Sequence, residues 1–419
     1  MNFTVLNLKE HKFVWFLGIF FVLFFIITII NERFILPDFH VYVHAANNLV
    51  NGDPVYHQEY RPGSGIYKYA PFCLFFYIPF TFLPDFFAKT VYFCLIATGI
   101  TFLMFFLKKF VDINLFDKKL PITNSTVLFL SFLVVVVHFH RELELGNVNL
   151  FLLLALVLSL YFILSEREYI GGALIGIAIL FKPHFLVILT LMLMRRKWRS
   201  LLAVVLIIVG GSLLPIIVVG WLGNLTLQVE WFQTMSEHNA SWRLVENPNT
   251  IHHWIYLLGL QYFISEPGTV FSYIVVLLVA IVFFIWIIRN MKIEMRQGNS
   301  ITYEHFIFEY FLILAIIPNI TYTDTEHFLL SLPLIMFIVT CMIQGDYKKT
   351  LLFYLAVLGF IFYGGNWHDL WGHNISVWIE RFGLLGLGNL LIVFTSIFYF
   401  LKLKIVSPMP DGDKSVINS

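Results

Sequence analysis

The stretch GNVNLFLLLALVLSLYFILSEREYIGGALIGIAILFKPHFLVILTLMLMRRKWR, Gly146 to Arg199, decides the fold. An apolar run from Val148 to Leu164 leads to Arg167, and a second apolar stretch, Ile170 to Met194, is interrupted at its middle by Lys182 and Pro183. Arg167 before that stretch and Arg195, Arg196, Lys197 and Arg199 after it make both of its ends basic. Lys and Arg collect on the cytoplasmic side of a bilayer. The stretch therefore enters and returns on one side, as two short helices meeting at Lys182. An intramembrane charge is costly and is kept for function. Lys182 is thus expected below the outer surface, in a cavity at least partly wet.

The rest of the chain agrees with a lipid environment. Of 419 residues, 59% are hydrophobic and 13% charged, against roughly 45–50% and 25% for soluble domains, which excludes a soluble globular protein. Further apolar runs are Phe13–Ile30, Phe86–Leu107, Ser125–Val137, Leu201–Trp221, Val270–Ile288, Phe306–Ile317, Phe328–Ile343, Thr350–Gly364 and Leu384–Leu401. With the Val148–Leu164 run and the two limbs of the hairpin they predict an all-α polytopic bundle of about 12 crossings. The first run is too long for a signal-peptide core and lacks a cleavage site, so it reads as a retained anchor. A cytoplasmic N-terminus puts 19 of the 27 Lys and Arg residues inside, as the charge rule requires. Residues 1–404 read as one integral membrane domain, and 405–419 as a disordered cytoplasmic tail.

Two segments, 31–84 and 222–269, are then the long external loops. In the first, Phe39, Val43, Ala46 and Val50 share a helical face opposite His40, His44 and Asn47, the pattern of an amphipathic helix lying on the outer leaflet. Ala70–Leu83, short and holding Pro71 and Pro79, reads as re-entrant or peripheral. Net charge is +1 without a basic block, so nucleic acid is not a partner. Cys73, Cys94 and Cys341 lack the spacing of a metal site or a disulfide framework. Twelve of the 14 histidines fall outside, together with Asp38, Lys68, Arg141, Glu142, Glu144, Lys182, Asp324 and Glu326, so that ionisable residues able to do chemistry gather at one water-facing end. The distribution points to a site reached from the outer leaflet that binds something anionic.

Gly146–Arg199 resembles the central signature of glycosyltransferase family 87, polyprenol-phosphate-mannose-dependent α-mannosyltransferases of the GT-C membrane fold. The family shows a Gly-Gln-x-Asn turn, a helix, a Gly-rich helix, Lys-Pro, another helix and a basic cluster. PDFHVYVHAANNLVNGDPVY (Pro37–Tyr56) is similar to its Asp-x-x-x-Tyr helix with Gly-x-x-x-Tyr, and YKYAPFCLFFYIPFTFLP (Tyr67–Pro84) to its Tyr-x-Pro segment. NPNT (Asn247–Thr250) and TYTDTEHFLLSLP (Thr321–Pro333) stand in the places of an Asn-Gln-Ser and a Ser-Pro-x-x-x-His-His motif. Three departures are visible: Asn147 replaces Gln, Pro248 interrupts the Asn-Gln-Ser pattern, and His327 alone represents the His pair.

The resemblance implies transfer of a hexose, mannose in the family, from a polyprenyl-phosphate donor to an extracytoplasmic lipid or glycan acceptor with inversion, in a multi-pass protein of the cell membrane. Asp38, which opens the loop helix, is the implied general base; read from sequence alone, it is equally an N-cap. Lys182, His184, Arg141 and His327 would hold the donor phosphate. The alternatives are a snorkelling role for Lys182, an ion pair of Arg141 with Glu142 or Glu144, and bundle hydrogen bonds for the histidines. His40, Tyr42, Tyr69, Glu142, Asn147, Asn149, Asn247, Asn249 and Asp324 would shape the substrate sites. No cofactor is expected, and no metal, although Glu142 with Glu144 and Asp324 with Glu326 are acid pairs suited to a hard cation. A lipid-linked sugar transporter or an oligosaccharide ligase is the alternative function; a transporter places its polar site at the midplane between repeats, and here no repeat is evident.

Overall fold

The computed structural model describes residues 12–61, 65–116, 124–240, 246–257, 269–296, 303–321, 324–344 and 350–406, and every regular element among them is helical. Of the segment 405–419 read as a disordered tail, Ile405 and Val406 close the last helix, and the rest lies outside the described residues. The helices are α1 (Lys12–Ile30), α2 (Pro37–Asn51), α3 (Asp85–Leu115), α4 (Asn124–Leu145), α5 (Asn149–Leu164), α6 (Glu168–Phe181) and α7 (Ile188–Met194). They continue as α8 (Trp198–Leu213), α9 (Ile216–Ala240), α10 (Thr269–Arg296), α11 (Tyr303–Ile320), α12 (Leu332–Gln344), α13 (Leu351–Gly364) and α14 (Leu384–Val406). Short helical turns join them, at Pro71–Phe76, Pro183–Val187 and Thr325–Ser331.

Each of the twelve expected runs forms helix. Among the described residues seven helices are long and apolar enough to cross a membrane, or eight if α8 and α9 are one bent span. The remaining four, α5, α6, the limb Pro183–Met194 and α13, are shorter. An all-α polytopic bundle results. At its centre is α11, in which every residue from Phe306 to Ile320 is buried, as expected of a nearly all-apolar helix inside a bundle, with Glu309 and Asn319 as its buried polar exceptions. Phe308 stacks on Phe400 of α14 with ring centroids 4.1 Å apart. At the periphery α1 buries Phe13, Leu17 and Phe21 and turns Trp15, Ile19, Val22, Leu23, Ile26 and Ile30 outward, as a lipid-facing helix does.

Two expectations need correction. The run 201–221 is not continuous: it breaks between α8 and α9 at a bend of 91°. Pro215 lies in the gap and cannot donate a backbone hydrogen bond. And the apolar face of α2 is only partly open: Phe39 and Ala46 are covered by protein, Val43 is half-buried and Val50 alone is exposed. Phe39, Tyr42, Ala45, Ala46 and Leu49 are buried in the protein, with Phe39 stacked on Tyr92 of α3 at 4.2 Å and Tyr42 against Tyr77 at 4.9 Å. Aromatic partners from 67–92 cover the face that periodicity alone leaves open. Ala70–Leu83 forms the 3-10 turn Pro71–Phe76 and a single helical turn, Ile78–Thr81. Its start meets the tip of the hairpin, where Ala70 N–H donates to Leu180 O at 3.4 Å.

Candidate active site

The site begins at the turn between α4 and α5. Gly146 sits there at φ 67°, and a Cβ at that position would come within 2.9 Å of Phe39 Cβ. Only glycine meets both demands cheaply, and the close approach brings the following asparagine against α2. Glu142, fully buried at the end of α4, accepts from Leu150 N–H at 3.0 Å and from Asn149 Nδ2 at 2.9 Å. The bond to Leu150 satisfies a backbone donor in the first turn of α5 that the helix itself leaves free.

From Glu142 the donor and acceptor roles propagate without ambiguity. A carboxylate only accepts and an ammonium only donates, so Asn149, placed between Glu142 and Lys182, turns its Nδ2 to the acid and its Oδ1 to the lysine. Lys182 Nζ donates to that Oδ1 at 2.5 Å. Asn149 Nδ2 also reaches Asn147 Oδ1 at 3.0 Å, which accepts Val148 N–H at 2.6 Å as well. Asn147 is left with its Nδ2 facing Asp38, and it donates to Asp38 Oδ2 at 2.7 Å. Two residues 109 positions apart in sequence are joined in this way.

Lys182 lies where α6 ends, in extended conformation at φ −140° and ψ 99°, between α6 and the 3-10 turn that Pro183 opens. Its Nζ is 2.5 Å from His327 Nε2. The lysine must be the donor, so Nε2 accepts and the ring proton is on Nδ1, directed at Asp324 O at 3.3 Å. His327 therefore meets Lys182 as a neutral ring, the bundle hydrogen bond given above as its alternative to phosphate binding. Tyr69 flanks the ammonium, its ring centroid 6.0 Å from Nζ, at the outer limit of a cation–π contact. Tyr42 OH and Tyr69 OH are 3.0 Å apart, and Tyr56 OH donates to Tyr69 O at 2.7 Å. His184 stands beside His327, ring centroids 5.6 Å apart, and its Nε2 is buried with no hydrogen-bond partner among the described residues.

Arg141 donates from Nε to Glu326 Oε1 at 2.5 Å and pairs through Nη2 with the same oxygen. The expected alternatives, Glu142 and Glu144, do not take it: Glu142 caps α5, and Glu144 lies 3.7 Å from His140 one turn back. Glu326, considered from sequence only as half of an acid pair with Asp324, is the partner of Arg141. Its signal was its place beside His327, in a segment already singled out. Asp38 is not an N-cap. Leu36 holds that position at φ 48°, and Asp38 is in the first turn behind Pro37. Its carboxyl is pushed up to about 6, first by burial and then by Glu326 and Asp324, while Lys182 and the Asn147 amide act the other way.

The structure therefore brings Asp38, Asn147, Asn149, Glu142, Lys182, His327, Arg141, Tyr42 and Tyr69 into one continuous cluster, with Asp324 and His184 at its edge. Three expected site residues lie elsewhere. His40 shares a separate pocket of about 200 Å³ with His44, Asn47 and Asp85, on another side of α2. Asn247 and Asn249 form a joint: Asn249 N–H donates to Asn247 Oδ1 at 3.0 Å, and Asn249 Oδ1 accepts Gly386 N–H at 3.0 Å. Asn319 of α11 donates to Asn249 O at 2.9 Å. The asparagines tie α11 to the start of α14, because buried backbone groups there need partners.

The comparisons give this membrane bundle its family. The family model "Glycosyltransferase family 87" matches residues 67–299, more than half of the chain, and the chain belongs to that family. The matched range contains the turn at Gly146 and the hairpin with Lys182; Asp38 precedes it and His327 follows it. The chain is also similar to an α-(1→3)-arabinofuranosyltransferase of Corynebacterium glutamicum, 28% identical over 194 residues, which are 46% of this chain and 43% of that protein. The alignment thus spans less than half the length of that relative.

Proposed function

We propose that the protein transfers a single sugar from a polyprenyl-phosphate donor to a hydroxyl of an extracytoplasmic lipid or glycan, with inversion. The observation that carries this reading is the relay Glu142–Asn149–Lys182 and Asn149–Asn147–Asp38. It holds a carboxylate with one oxygen occupied and the other available, in the same cluster as a buried ammonium. In the reaction the acceptor oxygen attacks C1 of the donor sugar, and its proton passes to Asp38. The C1–O bond to phosphate breaks with its electron pair on the phosphate oxygen. Lys182 then faces the charge that develops on the leaving group, the place where a fixed cation accelerates the reaction most. Two of its N–H groups are engaged by Asn149 and His327, which leaves a third for phosphate. Arg141, already paired with Glu326, contributes less net charge.

An apolar groove of about 300 Å³ supports a lipid-linked donor. Val187, just past the hairpin tip, and Ile320, at the end of α11, line it, and it continues along Thr190, Phe284 and Ile287. The donor sugar has two readings. The family resemblance favours mannose, and the arabinofuranosyltransferase relative favours a pentofuranose. A transporter would need none of the carboxylate geometry at Asp38.

Purified protein in liposomes, given radiolabelled polyprenyl-phosphate mannose or polyprenyl-phosphate arabinofuranose with a membrane lipid extract, tests the reading. Labelled glycolipid or glycan formed by the wild type and lost in Asp38→Asn supports it. Release of free sugar alone, or movement of the intact donor between leaflets, overturns it.

A further inference from the structure

The helix α9 is absorbed by none of this, and its shape is unusual. It leaves α8 at 91°, with a non-helical residue, Gly220, at φ 71° inside its first turns. The elbow is fastened by side chains. Asn224 Nδ2 and Gln228 Nε2 both donate to the carbonyl of Ser212, in the last turn of α8, at 3.1 and 3.0 Å, and Gln228 also reaches Asn224 Oδ1 at 3.3 Å. Carbonyls at a helix end lack intrahelical partners, and at membrane depth they must be satisfied internally. Two amides on one oxygen hold the bend closed.

Beyond the elbow the two faces of α9 differ. Trp221, Leu225, Val229 and Phe232, at helical spacing, are all exposed, Phe232 by 70%. From Ile216 to Val229 the sequence holds no charged residue. The opposite face is occupied: Trp231 Nε1 donates to Lys68 O at 3.2 Å, Thr234 Oγ1 is 3.4 Å from His57 Nε2, and Asn224 and Leu227 are buried. The exposed stripe continues that of α8, where Leu206 and Val209 also point outward.

We infer that α9 lies flat in the outer leaflet, its exposed stripe among the acyl chains of membrane lipids and its other face bearing the segment that carries Lys68 and Tyr69. Lipid is the occupant because the stripe is the uninterrupted extension of a helix that starts at a basic cluster and runs into the bilayer, and a right-angle turn from such a helix runs parallel to the surface. An apolar face with polar residues opposite is how a helix rests at that interface, and Trp221 near the bend is an interfacial side chain. The consequence reaches the site. Lys68 O is held by α9, and the next residue, Tyr69, flanks the Lys182 ammonium. The lipid surface thereby sets the height of that wall of the site.

The test uses the full chain in liposomes, with Cys94→Ser and one cysteine placed at Leu225 or at Phe232, each carrying an environment-sensitive fluorophore. Lipids bearing a nitroxide near the glycerol or near the acyl terminus quench it according to depth. For a flat helix both positions are quenched several-fold more by the shallow nitroxide, and to the same extent. The two positions are separated by about 10 Å along the helix axis. A helix crossing the bilayer therefore gives them different depth ratios, and that result overturns the inference. Absence of quenching by either lipid, as when water or a second copy of the chain covers the stripe, overturns it too. The variant Asn224→Leu with Gln228→Leu, checked for folding by its elution from size-exclusion chromatography, should split the depths of the two positions. Equal depths in a folded variant would show that the amides do not hold the elbow.

Discussion

At the scale of the residue, Asp38 is set by its neighbours. Asn147 donates to one carboxylate oxygen, and asparagine at position 38 would still accept that bond through its own Oδ1. Asp38→Asn is therefore expected to fold and insert as the wild type does while losing proton acceptance, typically worth ~10²–10⁴-fold in rate. Most of the turnover surviving would remove Asp38 from the chemistry. The carboxyl is raised to about 6, and a general base must be ionised to act, so with Asp38 in the proposed role kcat/KM should climb as pH rises through about 6 and level above it. Asn147→Ala removes a donor that favours the ionised form, so this acid limb should move to higher pH; a limb that stays in place in an active variant would uncouple the two side chains. For Lys182→Gln, loss of one fixed charge at the leaving group should cost about 10²–10³-fold, with the deficit in Lys182→Arg smaller because the charge is kept. Equal deficits in both would assign the lysine to packing.

At the scale of the element, the hairpin of α6 and α7 is what places Lys182, and it is anchored at its base. Arg195, at the end of α7, donates from Nε and Nη2 to Glu309 Oε2 at 3.0 and 2.6 Å, and Asn290 of α10 donates to Glu309 Oε1 at 3.0 Å. Glu309 is fully buried. Removing one member of a buried pair leaves a charge without compensation and costs about 3–5 kcal/mol, while replacing both by apolar residues is often neutral. Arg195→Met should thus lower the melting temperature in detergent, and Arg195→Met with Glu309→Met should recover most of the loss. Equal or additive losses would mean that packing, not charge, holds the base. The element scale is also where the reading from sequence was weakest. The period of α2 showed an apolar face but not its partner, which comes from Phe80, Tyr77 and Tyr92 in segments distant from it. The run 201–221 counted as one span because hydropathy adds residues up and is blind to a bend.

At the scale of the whole molecule, the charge distribution predicts a cytoplasmic base and an outward-opening site. A cysteine at Asn51, at the end of α2, should react with an impermeant thiol reagent in intact cells, whereas one at Glu166, between α5 and α6, should react only after permeabilisation. Both positions are exposed in the bundle, so failure of access through burial does not confuse the outcome. The reverse pattern would invert the topology and place the Asp38 cluster in the cytoplasm.

The sequence by itself determined the class of fold and pointed to the end of the bundle proposed for the chemistry. Both follow from local sums, apolar length against bilayer thickness and the placement of Lys and Arg. It also marked Lys182, since a charge beside Pro183 within an apolar stretch is conspicuous without any partner in view. The tertiary structure decided which groups meet: Asn147 with Asp38, and Arg141 with Glu326 across 185 positions rather than with its sequence neighbours. It also separated His40, Asn247 and Asn249 from the cluster that motif matching had gathered. Hydrogen-bond partners are fixed by which helix faces pack together and by the left-handed turn at Gly146, and neither can be read from spacing along the chain.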